Sequence, residues 1–92
     1  MYNRFAEMRR RYLRENRDGI YTGMLLTGKP DEHLKEIGDT AQEMFDRLVE
    51  QMKNAEGVTE RLKAENQMEW VGRMNSIRTR AEEIVLSELV YC

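Results

Sequence analysis

Residues 30–56 read PDEHLKEIGDTAQEMFDRLVEQMKNAE, and the spacing within them decides the fold. Leu34, Ile37, Ala41, Met44, Leu48 and Met52 step by three, four, three, four and four. That is one unbroken apolar stripe at the helical period, and Phe45 and Val49 widen it. Pro30 suits the first helical position, where a missing N–H costs nothing. Asp31 and Glu32 suit the positive end of the helix dipole. Gly57 is expected to end the helix.

Beyond the glycine, Thr59 is a good N-cap for a second long helix, predicted to run from 59 to 91. At 1.5 Å per residue such a helix spans about 48 Å, against about 40 Å for the first. The two form an antiparallel hairpin in which the second overhangs the first. Its stripe is Val71, Met74, Ile77 or Arg78, Ala81, Ile84 with Val85, and Leu89. The end, IVLSELVY, is apolar on most sides and requires burial all round. A turn at Gly57 places Gly38 and Ala41 opposite the stretch from Gly72 to Ser76. Small residues facing each other predict a close helix crossing there. The alternative is that Gly72 only weakens or kinks a long helix.

Working towards the N-terminus, a helix from about Asn3 to Asn16 presents Phe5, Met8 and Tyr12 on one apolar face. Asn16, Asp18 and Gly19 break it. A short helix from Ile20 to Thr27 follows, with Asp18 as N-cap and Gly28 as the residue after its end. Ile20, Tyr21, Met24, Leu25 and Leu26 nearly encircle that helix, so it is expected to be buried on more than one side. The fold class is therefore all-α: a small antiparallel bundle built on a hairpin of 30–56 and 59–91. An arginine-rich helix and a short second helix pack on it, within one domain covering 1–92.

Composition agrees. The chain is 40% apolar and 35% charged, with one proline. No apolar stretch is long enough to span a bilayer. The start, Tyr2-Asn3-Arg4-Phe5, has no apolar signal segment. The one cysteine, Cys92, permits no disulfide within the chain, and a cytoplasmic location is the default expectation. The net charge of −2 is unevenly divided: residues 1–17 carry +4 and residues 18–92 carry −6.

Residues 23–30, Gly-Met-Leu-Leu-Thr-Gly-Lys-Pro, imitate the GxxxxGK core of a phosphate-binding loop. A turn precedes them where an apolar strand is required, and Pro30 stands where a magnesium-binding hydroxyl is required, so the match is rejected. His33 lacks converging ligands and is expected to be a solvated residue of an acidic helix start. Glu82 and Glu83 are helix neighbours pointing about 100° apart and cannot share a reacting atom. Surface ion pairs are expected of them, as of Glu43 with Arg47, Glu69 with Arg73, and Arg78 with Glu82. No catalytic residue, metal ligand, cofactor or small-molecule substrate is expected.

Two surfaces stand out instead. Arg10, Arg14 and Arg17 form a stripe with Arg9 and Arg11 beside it, a face suited to a phosphate backbone. Its competing reading is a solvated or internally docked face. Trp70, read as core with a partner-binding anchor as the alternative, joins Val85, Leu86, Leu89, Val90 and Tyr91 as a candidate interface. The overhang motivates a homodimer in which IVLSELVY packs on a second copy.

The blocks MRRRYLREN (8–16), DGIYTGMLLTGKPDEHL (18–34) and EGVTERLKAENQMEWVGRMNSIRTRAEEIVLSELVY (56–91) resemble the TnpV-type proteins carried on transposons and other mobile elements. The resemblance covers most of the chain, and its last block is the most specific. It implies a mobile-element accessory protein and no catalytic residues. The expected function is thus non-enzymatic macromolecular binding, to DNA or a transposition complex. The rival is an inhibitor of a host defence nuclease, of the anti-CRISPR kind, whose acidic helices occupy a nucleic-acid channel.

Overall fold

The computed structural model describes residues 2–16, 18–28 and 30–91, without the side chains of Asp18, Met24, Thr27 and Pro30. Arg17, Cys92 and Lys29 therefore lie outside the described residues. So do the cap expected of the Asp18 side chain and the burial expected of Met24. The elements are α1 (Arg4–Asn16), α2 (Asp18–Thr27), α3 (Pro30–Glu56), α4 (Glu60–Glu65), α5 (Gln67–Val85) and a terminal π-helical turn, Leu86–Val90. Among the described residues there is no strand, and no helix is long and apolar enough to cross a membrane.

α3 has the predicted span, and its stripe is the spine of the fold. Leu34 and Ala41 are buried, and Ile37, Met44, Phe45, Leu48, Val49 and Met52 are half-buried. Gly57 ends the helix at φ +69°, where a side chain would be strained. The Val58 N–H then donates to the Lys53 carbonyl at 2.9 Å, and the Val58 side chain is buried beneath the turn. Thr59 caps the next helix by accepting from the Leu62 N–H at 3.2 Å. Gly28, at φ +74°, closes α2 in the same way.

The second arm of the hairpin is not the single helix expected. It breaks at Asn66, whose backbone lies at φ −149° and ψ 85°. Asn66 Oδ1 accepts from the Glu69 N–H at 3.1 Å, and its Nδ2 donates to the Glu69 carboxylate at 3.3 Å. The asparagine is thus an N-cap in mid-arm. The break turns Val71 outward and brings Trp70 inward. Leu62, Trp70, Met74 and Ile77 gather on Val58, Val49 and Met52 to form the core at the turn end.

At the other end the helix widens. The Tyr91 N–H donates to the Leu86 carbonyl at 2.8 Å, five residues back, as a π turn requires. An α-helix would align Val85 with Leu89; the wider turn aligns Val85 with Val90. Both valines are fully buried, and Leu89 is only half-buried, correcting the predicted end of the stripe.

The glycine pairing is also corrected. Gly38 is a point of close approach, but the helix approaching is α1. A Cβ on Gly38 would lie 2.7 Å from Asn3 Oδ1 and 2.9 Å from Ala6 Cβ. Asn3 holds this crossing: its Oδ1 accepts from the Ala6 N–H at 2.9 Å, capping α1, and its Nδ2 donates to the Gly38 carbonyl at 2.8 Å. Gly72 faces open space inside a continuous α5.

The molecule measures 55 × 20 × 19 Å, too thin for one central core, and most of the buried apolar residues among those described gather in three clusters along the rod. α1 serves two of them. Phe5, Met8 and the terminal turn pack on Ala41, Met44, Phe45 and Leu48. Ala6, Leu13, Tyr2 and Tyr12 pack on Leu34 and Tyr21. An ion pair of 2.9 Å, Arg80 to Glu56, ties α5 to the end of α3 and holds the Glu56 carboxyl below its usual range.

The expected burial of α2 on more than one side does not occur among the described residues. Ile20, Leu25 and Leu26 are exposed, Leu26 to 83%, and of the described side chains of α2 only Tyr21 joins a core cluster.

Candidate functional site

The arginines of α1 divide by their angular position on the helix. Arg9 falls between the two apolar faces of α1, and packing draws it inward. Its Nη1 donates to the Val90 carbonyl at 3.0 Å, and its guanidinium lies 5.7 Å from the Tyr12 ring centroid. A helix end leaves carbonyls without intrahelical donors, and Arg9 supplies one to the terminal turn. Arg4 pairs with Glu82 at 3.5 Å and covers the Phe5 and Phe45 rings at 4.6 and 4.8 Å. Arg10 pairs with Glu7 at 3.5 Å, and the nearby Tyr21 hydroxyl, followed by Glu7, holds its guanidinium above its usual range. Arg11 and Arg14 are exposed and, among the described residues, have no ion-pair partner.

Among the described residues, the predicted arginine face is therefore two populations: Arg9 and Arg10 are engaged by neighbouring groups, as is Arg4 outside that face, and Arg11 and Arg14 face solvent.

The candidate interface at the C-terminus divides similarly. Val85 and Val90 are fully buried against Phe5 and Ala41, with Leu86 and Leu89 packed at the edge of the same cluster. The overhang of the second arm is thus filled by α1, and a second copy is not needed to cover it. Tyr91 remains 46% exposed. Its ring lies 5.4 Å from that of Tyr12, tilted by 48°. Beside this pair is an open cleft of about 410 Å³, lined by Met8, Arg11, Tyr12, Glu15, Asn16 and Tyr91. Its walls join the exposed arginine face to the end of the chain.

Trp70 sits at the opposite end, half-buried in the turn cluster, with the Lys63 ammonium 4.7 Å from its ring. Met68 and Val71 beside it are exposed. Asn75 nearby on α5 is exposed.

His33 is half-buried rather than solvated. Burial, then the Arg9 guanidinium nearby, push its imidazole below its ordinary range, with Glu36 opposing. Its Nε2 is buried without a hydrogen-bond partner. Glu82 pairs with Arg4 instead of Arg78, and Glu69 with Arg73 at 2.8 Å as expected. Within the segment imitating a phosphate loop, residues 23–27 are helical. Among the described residues, no group of three or more His, Cys, Asp and Glu side chains is placed to hold a metal ion.

The acidic character of α3 was expected, but the residues that form its stripe were missed in the sequence. Glu32, Glu36, Asp39, Glu43, Asp46 and Glu50 are all exposed on α3. They step by four, three, four, three and four, and at 1.5 Å per residue they extend for about 27 Å opposite the apolar stripe. Gln42 donates to Asp46 at 3.0 Å and Lys53 approaches Glu50 at 3.8 Å. The signal that would have found the stripe is the same three-and-four spacing that revealed the core face.

Residues 1–90 match the family model described as "Transposon-encoded protein TnpV". No curated protein and no solved structure matches the chain.

Proposed function

The chain belongs to the TnpV family of transposon-encoded proteins, and on that premise we propose that it is a non-enzymatic accessory protein that binds nucleic acid through α1. The observation that carries this reading is the exposure of Arg11 and Arg14 within the most arginine-rich segment of a chain that is acidic as a whole. Phosphate contacts from such side chains release counterions, so binding weakens with salt. The exposed acidic residues of α3 repel nucleic acid, which disfavours that face. The test is fluorescence anisotropy with labelled DNA over a salt series. Each phosphate contact contributes about 0.7 to 0.9 to the slope of log K against log salt. Replacing both Arg11 and Arg14 with Gln is expected to flatten the slope by roughly 1.5. An unchanged slope, or no binding of DNA at low salt, overturns the proposal.

The acidic stripe on α3 favours a second reading, direct binding to a basic protein surface, as an inhibitor of a host defence nuclease would require. A pull-down from the host with and without nuclease treatment separates the two. A protein partner retained after nuclease treatment, and lost on changing Glu36 and Glu43 to Lys, favours this second reading.

A further inference from the structure

The cleft between α1 and the end of the chain combines an exposed aromatic ring with exposed arginines. Tyr91 is held against Tyr12 at 5.4 Å and still presents nearly half of its surface. The Arg9 bond to the Val90 carbonyl fixes the backbone from which Tyr91 projects. Met8 forms an apolar wall, and Arg11 stands on the rim. Asn16, which donates its amide to the Tyr12 carbonyl at 3.3 Å, and Glu15 supply the polar part of the lining. Flat apolar surface, adjoining polar acceptors and a cationic rim are the recognition elements of a nucleobase attached to phosphate.

We infer that this cleft takes one unpaired base of a nucleic-acid strand, stacked on Tyr91, with Arg11 and Arg14 on the flanking phosphates. The inference rests on the nucleic-acid reading above and adds to it. A duplex hides its bases in the stack, and reaching one requires flipping it out. A strand offers each base's face directly. The cleft volume, about 410 Å³, admits a base and its sugar. Charge complementarity selects this occupant: Arg11 lines the cleft, and Arg14 is exposed one helical turn further along the most arginine-rich segment of the chain.

The experiment is fluorescence anisotropy on the full chain with a labelled single-stranded oligonucleotide of mixed sequence, and separately with its duplex. The strand is expected to bind more tightly than the duplex. Tyr91→Ala is expected to weaken strand binding about tenfold, the typical effect of losing one stacking ring. Its salt slope should stay that of the unchanged protein, and Tyr91→Phe should keep the affinity. Because Tyr91 is half-exposed, the alanine variant is expected to retain its helical circular dichroism, which is measured alongside. Strand affinity insensitive to Tyr91→Ala in a folded protein overturns the cleft. So does duplex binding as tight as strand binding, or adenosine monophosphate binding as tight as the strand. Binding that depends on Arg11 and Arg14 but not on Tyr91 overturns the cleft alone and leaves the arginine face standing. Loss of all nucleic-acid binding overturns both.

Discussion

Two segments of this chain are apolar on nearly every side, and the fold treats them oppositely. The terminal IVLSELVY is enclosed: Val85 and Val90 are fully buried, and α1 covers the overhang that the hairpin leaves. The short helix α2 lies open, with Ile20, Leu25 and Leu26 exposed. The difference lies in α1, which has two apolar faces and uses one on the terminal turn and the other on Leu34 and Tyr21. Nothing described packs over the outer side of α2. Hydrophobicity thus shows what would gain from burial, and topology decides what receives it. A fully buried valine gains about 1.5–3 kcal/mol relative to an exposed one. A ten-residue helix without such burial is marginal.

The largest way to break this comparison is to remove the residue that joins α1 to the terminal turn. Phe5→Ala empties the centre of that cluster and is expected to cost about 3–5 kcal/mol in chemical denaturation. Leu26→Ala, which also truncates a large apolar side chain but in α2, is expected to change stability by less than about 0.5 kcal/mol. Similar costs for the two would mean that α2 is packed in solution and that the contrast is wrong. Hydrogen exchange offers a second reading of it, with α2 amides exchanging well before those of α3.

A smaller effect separates the two glycines by sign. Gly38→Ala places a methyl 2.9 Å from Ala6 Cβ, which is fixed to the α1 backbone and cannot swing aside. Helix α1 must retreat, at about 1–3 kcal/mol. Gly72→Ala meets nothing within 4 Å in an exposed helix interior and is expected to stabilise by about 0.5–1 kcal/mol. If Gly38→Ala were neutral, the α1–α3 crossing would be looser than described.

These glycines also mark how far the sequence could be read. The α3 stripe and the ends at Gly28, Gly57 and Thr59 follow from local spacing and local backbone chemistry, and all were legible. The partner of Gly38 depends on how α1 lies across α3, a long-range choice that no local pattern specifies. The π turn replaces a Val85–Leu89 alignment with Val85–Val90, and helical period alone cannot announce a change of period. Asn66 was legible in principle, since Asn followed three residues later by Glu is an N-terminal signature. Continuous apolar spacing on either side outweighed it. At the site, the basic segment was visible by composition, but its division into structural and exposed arginines required knowing that Arg9 lies between two buried faces. Asn66→Ala tests the mid-arm cap: the loss is expected to be about 1 kcal/mol, with helical circular dichroism retained.

The smallest expected effect concerns what holds α1 over the terminal turn as pH falls. His33 lies near Arg9, which donates to the Val90 carbonyl. Burial, followed by the Arg9 charge, lowers the imidazole pKa in the folded chain. Unfolded, the group has its ordinary value of about 6.5. Folding therefore favours the neutral form, and the unfolded state binds the proton more readily. The contribution is fully present above about pH 6.5 and is lost as pH falls through the folded-state pKa. Thermal melts between about pH 7.5 and 5.5 lie above the range where ordinary carboxylates titrate. The unchanged protein is expected to lose melting temperature across that window, and His33→Gln is expected to flatten the loss. Parallel curves for the two proteins would place the imidazole in solvent and remove it from the enclosed end of the molecule, leaving Arg9 as the polar tie between α1 and the terminal turn.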